Sequence, residues 1–69
     1  MKIKFKSECS MKNFMTHGMD SGDYNHNKAM VETYQSLPFH VDVKGHGWEN
    51  EEFYISPDEY DFFEIISES

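Results

Sequence analysis

The chain has 69 residues and a formal net charge of −7, from 6 basic and 13 acidic side chains. Such a short chain buries only about 60% of its unfolded surface, so we expect residues 1–69 to form one small domain. This length excludes a multidomain enzyme, and the acidic charge argues against direct binding of nucleic acid, which needs a basic surface. The 16% of aromatic residues favour a thin folded core, which a second copy could complete as a homodimer.

Cysteine content and hydropathy bear on the compartment. Cys9 is the only cysteine, so no internal disulfide can form, and we expect a reducing cytoplasm. The first residues include lysines, but no apolar run follows them, so we expect no signal peptide. The chain has no stretch of about 20 apolar residues, so we expect no membrane-spanning segment.

The first segment, residues 2–6, alternates lysine with an apolar residue. A period of two predicts a strand over residues 2–8, with Ile3 and Phe5 inward and the lysines outward. Outward lysines also protect a strand that lies at a sheet edge.

Residues 10–22 are ambiguous. Met11, Phe14 and Met15 have helical spacing, and Gly18 could end a short helix. A loop or a second strand of a hairpin fits the same residues.

Residues 24–37 are predicted to form a helix. Their apolar side chains fall within one arc at about 100° per residue. Asp23 or Asn25 can cap the first turn, and Pro38 ends the helix because it has no backbone N–H. The apolar stripe consists of Tyr24, Met30, Val31, Tyr34 and Leu37.

Residues 39–56 are predicted to form a β-hairpin. The first strand, residues 39–44, alternates apolar and polar residues, and the turn after it contains Gly45 and Gly47, which can adopt positive φ. The returning strand covers residues 48–56.

The C-terminal segment begins with three helix-start signals. Ser56 and Glu59 form a capping box, Pro57 occupies the first helical position, and acidic residues fill the first turn. These signals favour a helix through residue 66. A strand is the alternative, because four of the five residues 62–66 are phenylalanine or isoleucine, which favour strands.

Together these elements predict an α+β fold, with a small antiparallel β-sheet of about three strands packed against one or two helices. The strands are residues 2–8, 39–44 and 48–56. The predicted core consists of Ile3, Phe5, Phe39, Val41, Val43, Phe53, Ile55, Met30, Val31, Tyr34 and Leu37.

Neither catalysis nor a cofactor is indicated. His40, Asp42 and His46 could hold zinc with one open position, but no second pair of ligands has a characteristic spacing. Cys9 and Ser10 lie in no nucleophile motif. We therefore expect a protein that is not an enzyme and binds neither a metal nor a cofactor.

The charge is concentrated in the second half of the chain. Residues 1–34 hold five lysines and four acids, a net of +1, whereas residues 35–69 hold one lysine and nine acids, a net of −8. Such asymmetry is typical of an acidic surface that faces a partner, although acids can also serve only to solvate a surface. The candidate partner-binding residues are the carboxylates Glu49, Glu51, Glu52, Asp58, Asp61, Glu64 and Glu68, with Trp48, Tyr54 and Tyr60 as aromatic anchors.

The predicted C-terminal helix would arrange three of these acids in a row. Asp61, Glu64 and Glu68 would be about 4.5 and 6 Å apart along the helix axis. Phosphates of a DNA strand follow each other about every 3.4 Å of axis. A row of carboxylates at comparable spacing could occupy a basic groove that normally holds nucleic acid.

In size, charge and composition, including the absence of arginine and the scarcity of Leu and Ala, the chain resembles small acidic phage proteins that inhibit host enzymes. The resemblance rests on no motif and implies no residue roles. We therefore predict a protein-binding inhibitor, acting in the host cytoplasm, that presents its acidic half as a DNA mimic to the basic site of a host nucleic-acid-processing or defence protein. The alternative is a small oligomeric module that binds a ligand or partner through aromatic and Met contacts.

Overall fold

The computed structural model describes residues 1–68 and has the α+β class that the sequence predicts. Two α-helices and one 3-10 helix accompany six short strands. The helices are α1 (Glu8–Ser21), α2 (Tyr24–Tyr34) and the 3-10 helix (Pro57–Phe62). The strands are β1 (Lys2–Phe5), β2 (Phe39–His40), β3 (Asp42–Lys44), β4 (Gly47–Glu49), β5 (Tyr54–Ile55) and β6 (Phe63–Ser67).

The strands form two antiparallel sheets rather than the single sheet that was predicted. The first sheet has the order β2-β1-β6 and the second has the order β3-β4-β5. The predicted strand over residues 39–44 divides between them at Val41, which exchanges main-chain hydrogen bonds with Met1. Beyond Val41 the chain pairs with residues 47–49.

Strand β1 is the centre of the first sheet and not an edge. Its alternation is as predicted, since Ile3 and Phe5 are buried. Lys4 lies opposite Glu64 on β6, so a cation and an anion are neighbours across the strands. The lysines of β1 therefore lie on a central strand and do not protect a sheet edge.

The ambiguous segment after β1 is helical. Ser7 is the N-cap of α1, and its hydroxyl accepts a hydrogen bond from the Ser10 amide at 3.1 Å. The helix continues through Gly18 and ends at Gly22, which has a left-handed φ of 86°. At Gly18 the two helices approach so closely that a Cβ there would lie 2.7 Å from the side-chain nitrogen of Asn27 on α2.

Helix α2 ends at Tyr34, three residues before the predicted end. Gln35 then adopts a positive φ of 50°, which turns the chain away from the helical path. Met30 is buried as predicted, but Leu37 has left the apolar stripe and is 66% exposed. Its assignment to the core was wrong for this reason.

The predicted hairpin is present in its first part. Strands β3 and β4 flank the glycine turn, with Val43 opposite Trp48. The returning strand is interrupted after β4, where the Asn50 side chain accepts hydrogen bonds from the amides of Glu52 and Phe53 at 2.9 and 2.8 Å. Val43 lies on the edge strand β3 and is exposed, so its assignment to the core was also wrong.

The C-terminal segment combines both predicted alternatives. The capping box of Ser56 and Glu59 and the first-turn proline are present, but they start only a short 3-10 helix. The predicted α-helix through residue 66 is wrong, because β6 begins at Phe63. Phe63 lies opposite Phe5, with ring centroids 4.6 Å apart, so pairing with β1 outweighs the local helix signals.

One buried apolar cluster includes residues from both sheets and both α-helices. Sequence analysis missed three of its members, Phe14, Trp48 and Phe63, while Val31, Tyr34 and Phe53 are only partly buried against it. No helix in residues 1–68 is long and apolar enough to span a membrane. The buried cluster consists of Ile3, Phe5, Phe14, Met30, Phe39, Val41, Trp48, Ile55 and Phe63.

Candidate functional site

Two of the three proposed aromatic anchors contact each other. The rings of Trp48 on β4 and Tyr60 on the 3-10 helix stack with centroids 3.8 Å apart and planes inclined by 13°. Trp48 is only 7% exposed. It therefore packs the 3-10 helix against the second sheet and leaves little surface for a partner.

The third anchor, Tyr54 on β5, is exposed. Its hydroxyl donates a hydrogen bond to the main-chain carbonyl of His46, and its ring stacks on the His46 ring. Tyr54 is thus the most accessible of the three aromatic side chains, but it is held in place by the turn between β3 and β4.

The proposed row of three carboxylates does not exist. Asp61 lies on the 3-10 helix, Glu64 on β6, and Glu68 directly after β6. In a strand each residue advances about 3.3 Å, so Glu64 and Glu68 are about 13 Å apart rather than one helical turn. The match to phosphate spacing was wrong because it depended on an α-helix.

Most of the acidic side chains in the second half nevertheless remain exposed. Within residues 1–68 every carboxylate ion pair is formed with a histidine and none with a lysine. On the second sheet Asp42 even lies opposite Glu49, a like-charged arrangement that disfavours the folded state. The exposed members of the predicted set are Glu51, Glu52, Asp58, Asp61, Glu64 and Glu68, and Glu49 is half-buried.

Beside this surface lies a polar cleft of about 250 Å³. His26 bridges two elements there, because its Nε2 accepts a hydrogen bond from the Tyr54 amide at 3.2 Å. Its Nδ1 therefore carries the proton and donates to the Asn27 side chain at 2.8 Å. The cleft is lined by Asp23, His26, Asn27, Tyr54, Ser56 and Glu59.

The polar groups of this cleft satisfy each other. Asn27, which is fully buried, also donates to the Phe14 carbonyl on α1 at 2.9 Å. No role was predicted for His26 from the sequence, and the helical spacing that Asn27 shares with Met30 and Tyr34 is the signal for its burial. We conclude that this network joins α1, α2 and β5, and that its hydrogen bonds serve the fold.

The capping box holds a buried carboxylate at the start of the 3-10 helix. Glu59 is 6% exposed, and its Oε1 accepts a hydrogen bond from the Ser56 amide at 3.0 Å. The Ser56 hydroxyl lies 2.9 Å from the same oxygen and 2.5 Å from Oδ1 of Asp58, and it can donate to one of them at a time. His17 on α1 approaches both carboxylates, at 3.2 Å from Asp58 and 3.6 Å from Glu59.

The hydrogen bond from Ser56 holds the pKa of Asp58 below its ordinary value, with the nearby His17 as a weaker cause. Asp58 therefore stabilises the fold above the unfolded pKa of about 3.9, and this contribution is lost as pH falls through the lower folded pKa. We expect Ser56→Ala to raise the pKa of Asp58 toward its ordinary value. An NMR titration of the Asp58 carboxyl measures this directly, and an unchanged pKa would contradict the assigned cause.

The zinc site considered at His40, Asp42 and His46 has no support in the geometry of the described residues. His40 belongs to the first sheet and Asp42 to the second, and both line one small pocket that His46 does not line. Nowhere in the part of the chain that the structure describes do three His, Cys, Asp or Glu side chains converge as metal ligands would. Cys9 is exposed and unbridged on α1.

Comparisons with known proteins give no relative. No family model matches the chain, and neither a curated protein nor a solved structure is significantly similar to it. The chain is a small α+β protein, and its acidic surface is the feature that bears on function.

Proposed function

We propose that this protein is a small acidic inhibitor that binds another protein. Its carboxylate-rich second half would occupy the basic nucleic-acid site of a host nucleic-acid-processing or defence protein, as a phage-type DNA mimic acting in the host cytoplasm. The proposal assigns no catalysis, no cofactor and no direct contact with nucleic acid.

The observation that carries the proposal is the set of exposed carboxylates, which form no ion pair with a lysine within residues 1–68. Charges that are not paired internally project a negative potential, which attracts a basic surface and accelerates association at low salt. The opposed carboxylates of Asp42 and Glu49 also support it. Their repulsion disfavours the folded state, and a basic partner that binds both carboxylates would relieve it. Mimicry here depends on summed charge and not on a fixed carboxylate spacing.

The test compares two variants with the same change in net charge. The first carries Asp61→Lys, Glu64→Lys and Glu68→Lys in the acidic half. The matched control carries Glu8→Lys, Asp20→Lys and Glu32→Lys, which are exposed positions outside that half. Circular dichroism should show that both variants fold before binding is measured.

Binding is measured against the partner captured from a host lysate at low salt, over a salt series and with duplex DNA as competitor. We expect the first variant to lose about tenfold or more in affinity at low salt and the control to lose much less. DNA should displace the wild-type protein. Equal losses for both variants, or an affinity without salt dependence, would rule out a localised acidic surface.

A further inference from the structure

Strand β6 has one edge without a neighbour. It is the last strand in the order β2-β1-β6, so β1 covers one edge and no strand in residues 1–68 covers the other. A free strand edge presents main-chain donors and acceptors that another strand can pair with.

The pairing register shows which main-chain groups point to this open edge. In an antiparallel pair, opposite residues alternate between hydrogen-bonded and non-hydrogen-bonded positions. The Lys6 amide donates to the Phe62 carbonyl at 3.1 Å, so this opposite pair is of the hydrogen-bonded type. Two residues further along, Lys4 and Glu64 are again of that type, and the main-chain groups of Ile65 point away from β1.

The other side of β1 supports the same assignment. Met1 and Val41, just beyond the ends of β1 and β2, exchange hydrogen bonds of 2.9 and 2.8 Å and so form a hydrogen-bonded pair. Ile3, two residues on, therefore bonds to Phe39 and not to Ile65. Both the N–H and the carbonyl of Ile65 thus face the open edge.

The side chains at this edge are partly apolar and partly acidic. Ile65 and Ile66 are 49% and 43% exposed, and Glu64, which precedes Ile65 and therefore points to the opposite face, is also exposed. A register shift between Lys2 and Ile3 places Ile66 in an irregular position, which leaves Ile65 as the residue best placed for regular pairing.

Strand β1 shows which kind of strand β6 accepts. Along the covered edge, Ile3 lies opposite Ile65 and Lys4 lies opposite Glu64. A strand that alternates cationic and apolar residues therefore complements β6 in charge and in hydropathy. A strand on the open edge would meet the same two side chains in the same order.

We propose that the open edge of β6 binds an extended segment of a partner protein in which cationic and apolar residues alternate. The segment would add a fourth strand to the first sheet, with an apolar residue opposite Ile65 and a cationic residue opposite Glu64. A second copy is a poor occupant, because both edges of β1 are already paired and two β6 strands would bring the acids of two chains of net charge −7 together. The inference does not rest on the proposed inhibition.

The probe is a peptide with the sequence of residues 2–6, Lys-Ile-Lys-Phe-Lys, blocked at both ends and titrated into the ¹⁵N-labelled full chain. We expect shift changes at residues 64–66 and slower amide exchange at Ile65. Two control peptides have the same charge. One is N-methylated at the amides of its lysines and the other at the amides of its two apolar residues. At least one of them should bind about tenfold more weakly, because it cannot donate to the edge.

The matching protein variant is Ile65→Pro, which removes the outward N–H while leaving the bonds between β1 and β6 intact. We expect Ile65→Pro not to bind the peptide. Glu64→Gln should lower the affinity for the peptide and the salt dependence of binding, but the amide of Ile65 should still exchange more slowly when the peptide is bound. If Ile65→Pro does not fold, the methylated peptides decide.

Several results would overturn the proposal. These are equal binding of all three peptides, shift changes confined to the second sheet, no binding at millimolar peptide, or a dimer in sedimentation that Ile65→Pro dissociates. The charge-reversal variant shares Glu64 with this edge, so Ile65→Pro, which keeps every acidic side chain, is the variant that separates the two proposals.

Discussion

Phe14→Ala is expected to leave the protein largely unfolded or only marginally stable. Phe14 is fully buried on α1, and its ring packs against Phe5, Phe62 and Phe63 at centroid distances of 5.4, 5.5 and 5.4 Å. Truncation of a buried phenylalanine lowers the free energy of unfolding by about 3–5 kcal/mol. A domain of this size has only about 3–10 kcal/mol in total.

Urea denaturation followed by circular dichroism measures this loss, and two further variants calibrate it. Phe14→Leu keeps most of the volume and should lose about 1.5 kcal/mol or less. Leu37→Ala alters an exposed side chain and should change stability by about 0.5 kcal/mol at most. If Phe14→Ala unfolds at the same urea concentration as Leu37→Ala, then Phe14 does not lie in the core.

Gly47→Ala is expected to destabilise the second sheet by about 2 kcal/mol or more. Gly47 begins β4 with a φ of 151°, which residues with a side chain rarely adopt. A Cβ there would also collide with the main-chain carbonyl oxygen of Ile55 on the neighbouring strand, and would lie 2.8 Å from the Tyr54 hydroxyl. The backbone of a paired strand cannot move aside without breaking its own hydrogen bonds.

Gly45→Ala is the matched control, because the two glycines flank the same histidine. Gly45 has no atom within 4 Å of the position that its Cβ would take, and its φ is not in the left-handed region. We expect this substitution to be neutral or to stabilise by a few tenths of a kcal/mol or so, since alanine restricts the unfolded chain. Thermal unfolding of the two variants separates them, and equal melting temperatures would contradict the close approach at Gly47.

The parts of the fold that the sequence predicts correctly depend on local chemistry. The alternation of residues 2–6 predicts β1, the glycine turn predicts the hairpin of β3 and β4, and the capping box marks the start of the 3-10 helix. Each of these signals acts between residues that are few positions apart, so no distant contact is needed to interpret it.

The errors have two causes, a distant partner for Phe63 and an unforeseen turn for Leu37. Phe63 carries both helix and strand signals, and it becomes part of a strand because Phe5 is available opposite it. Leu37 fits the apolar stripe of α2, but the turn at Gln35 removes it from the helix. At Phe63 the local preferences are worth only a few tenths of a kcal/mol per residue or so, and the contact with Phe5 outweighs them.

The candidate site divides in the same way. The acidic second half and its residues are evident from the sequence, because exposed charge needs no particular fold to be recognised. The supposed row of Asp61, Glu64 and Glu68 depended on one element being a helix, and it disappeared with that helix. Trp48 was proposed as an anchor, but stacking on Tyr60 buries it.

The sequence by itself determined the α+β class, the alternating first strand and the location of the negative charge, since each follows from residue order alone. Only the tertiary structure decided that β1 has a neighbour on both sides. The central strand pairs with Phe39–His40 along one edge and with Phe63–Ser67 along the other. Because of the second pairing, residues 63–67 form a strand and not the helix that was predicted. The same pairing leaves Ile65 facing outward, because main-chain groups that alternate along a strand cannot all point to β1.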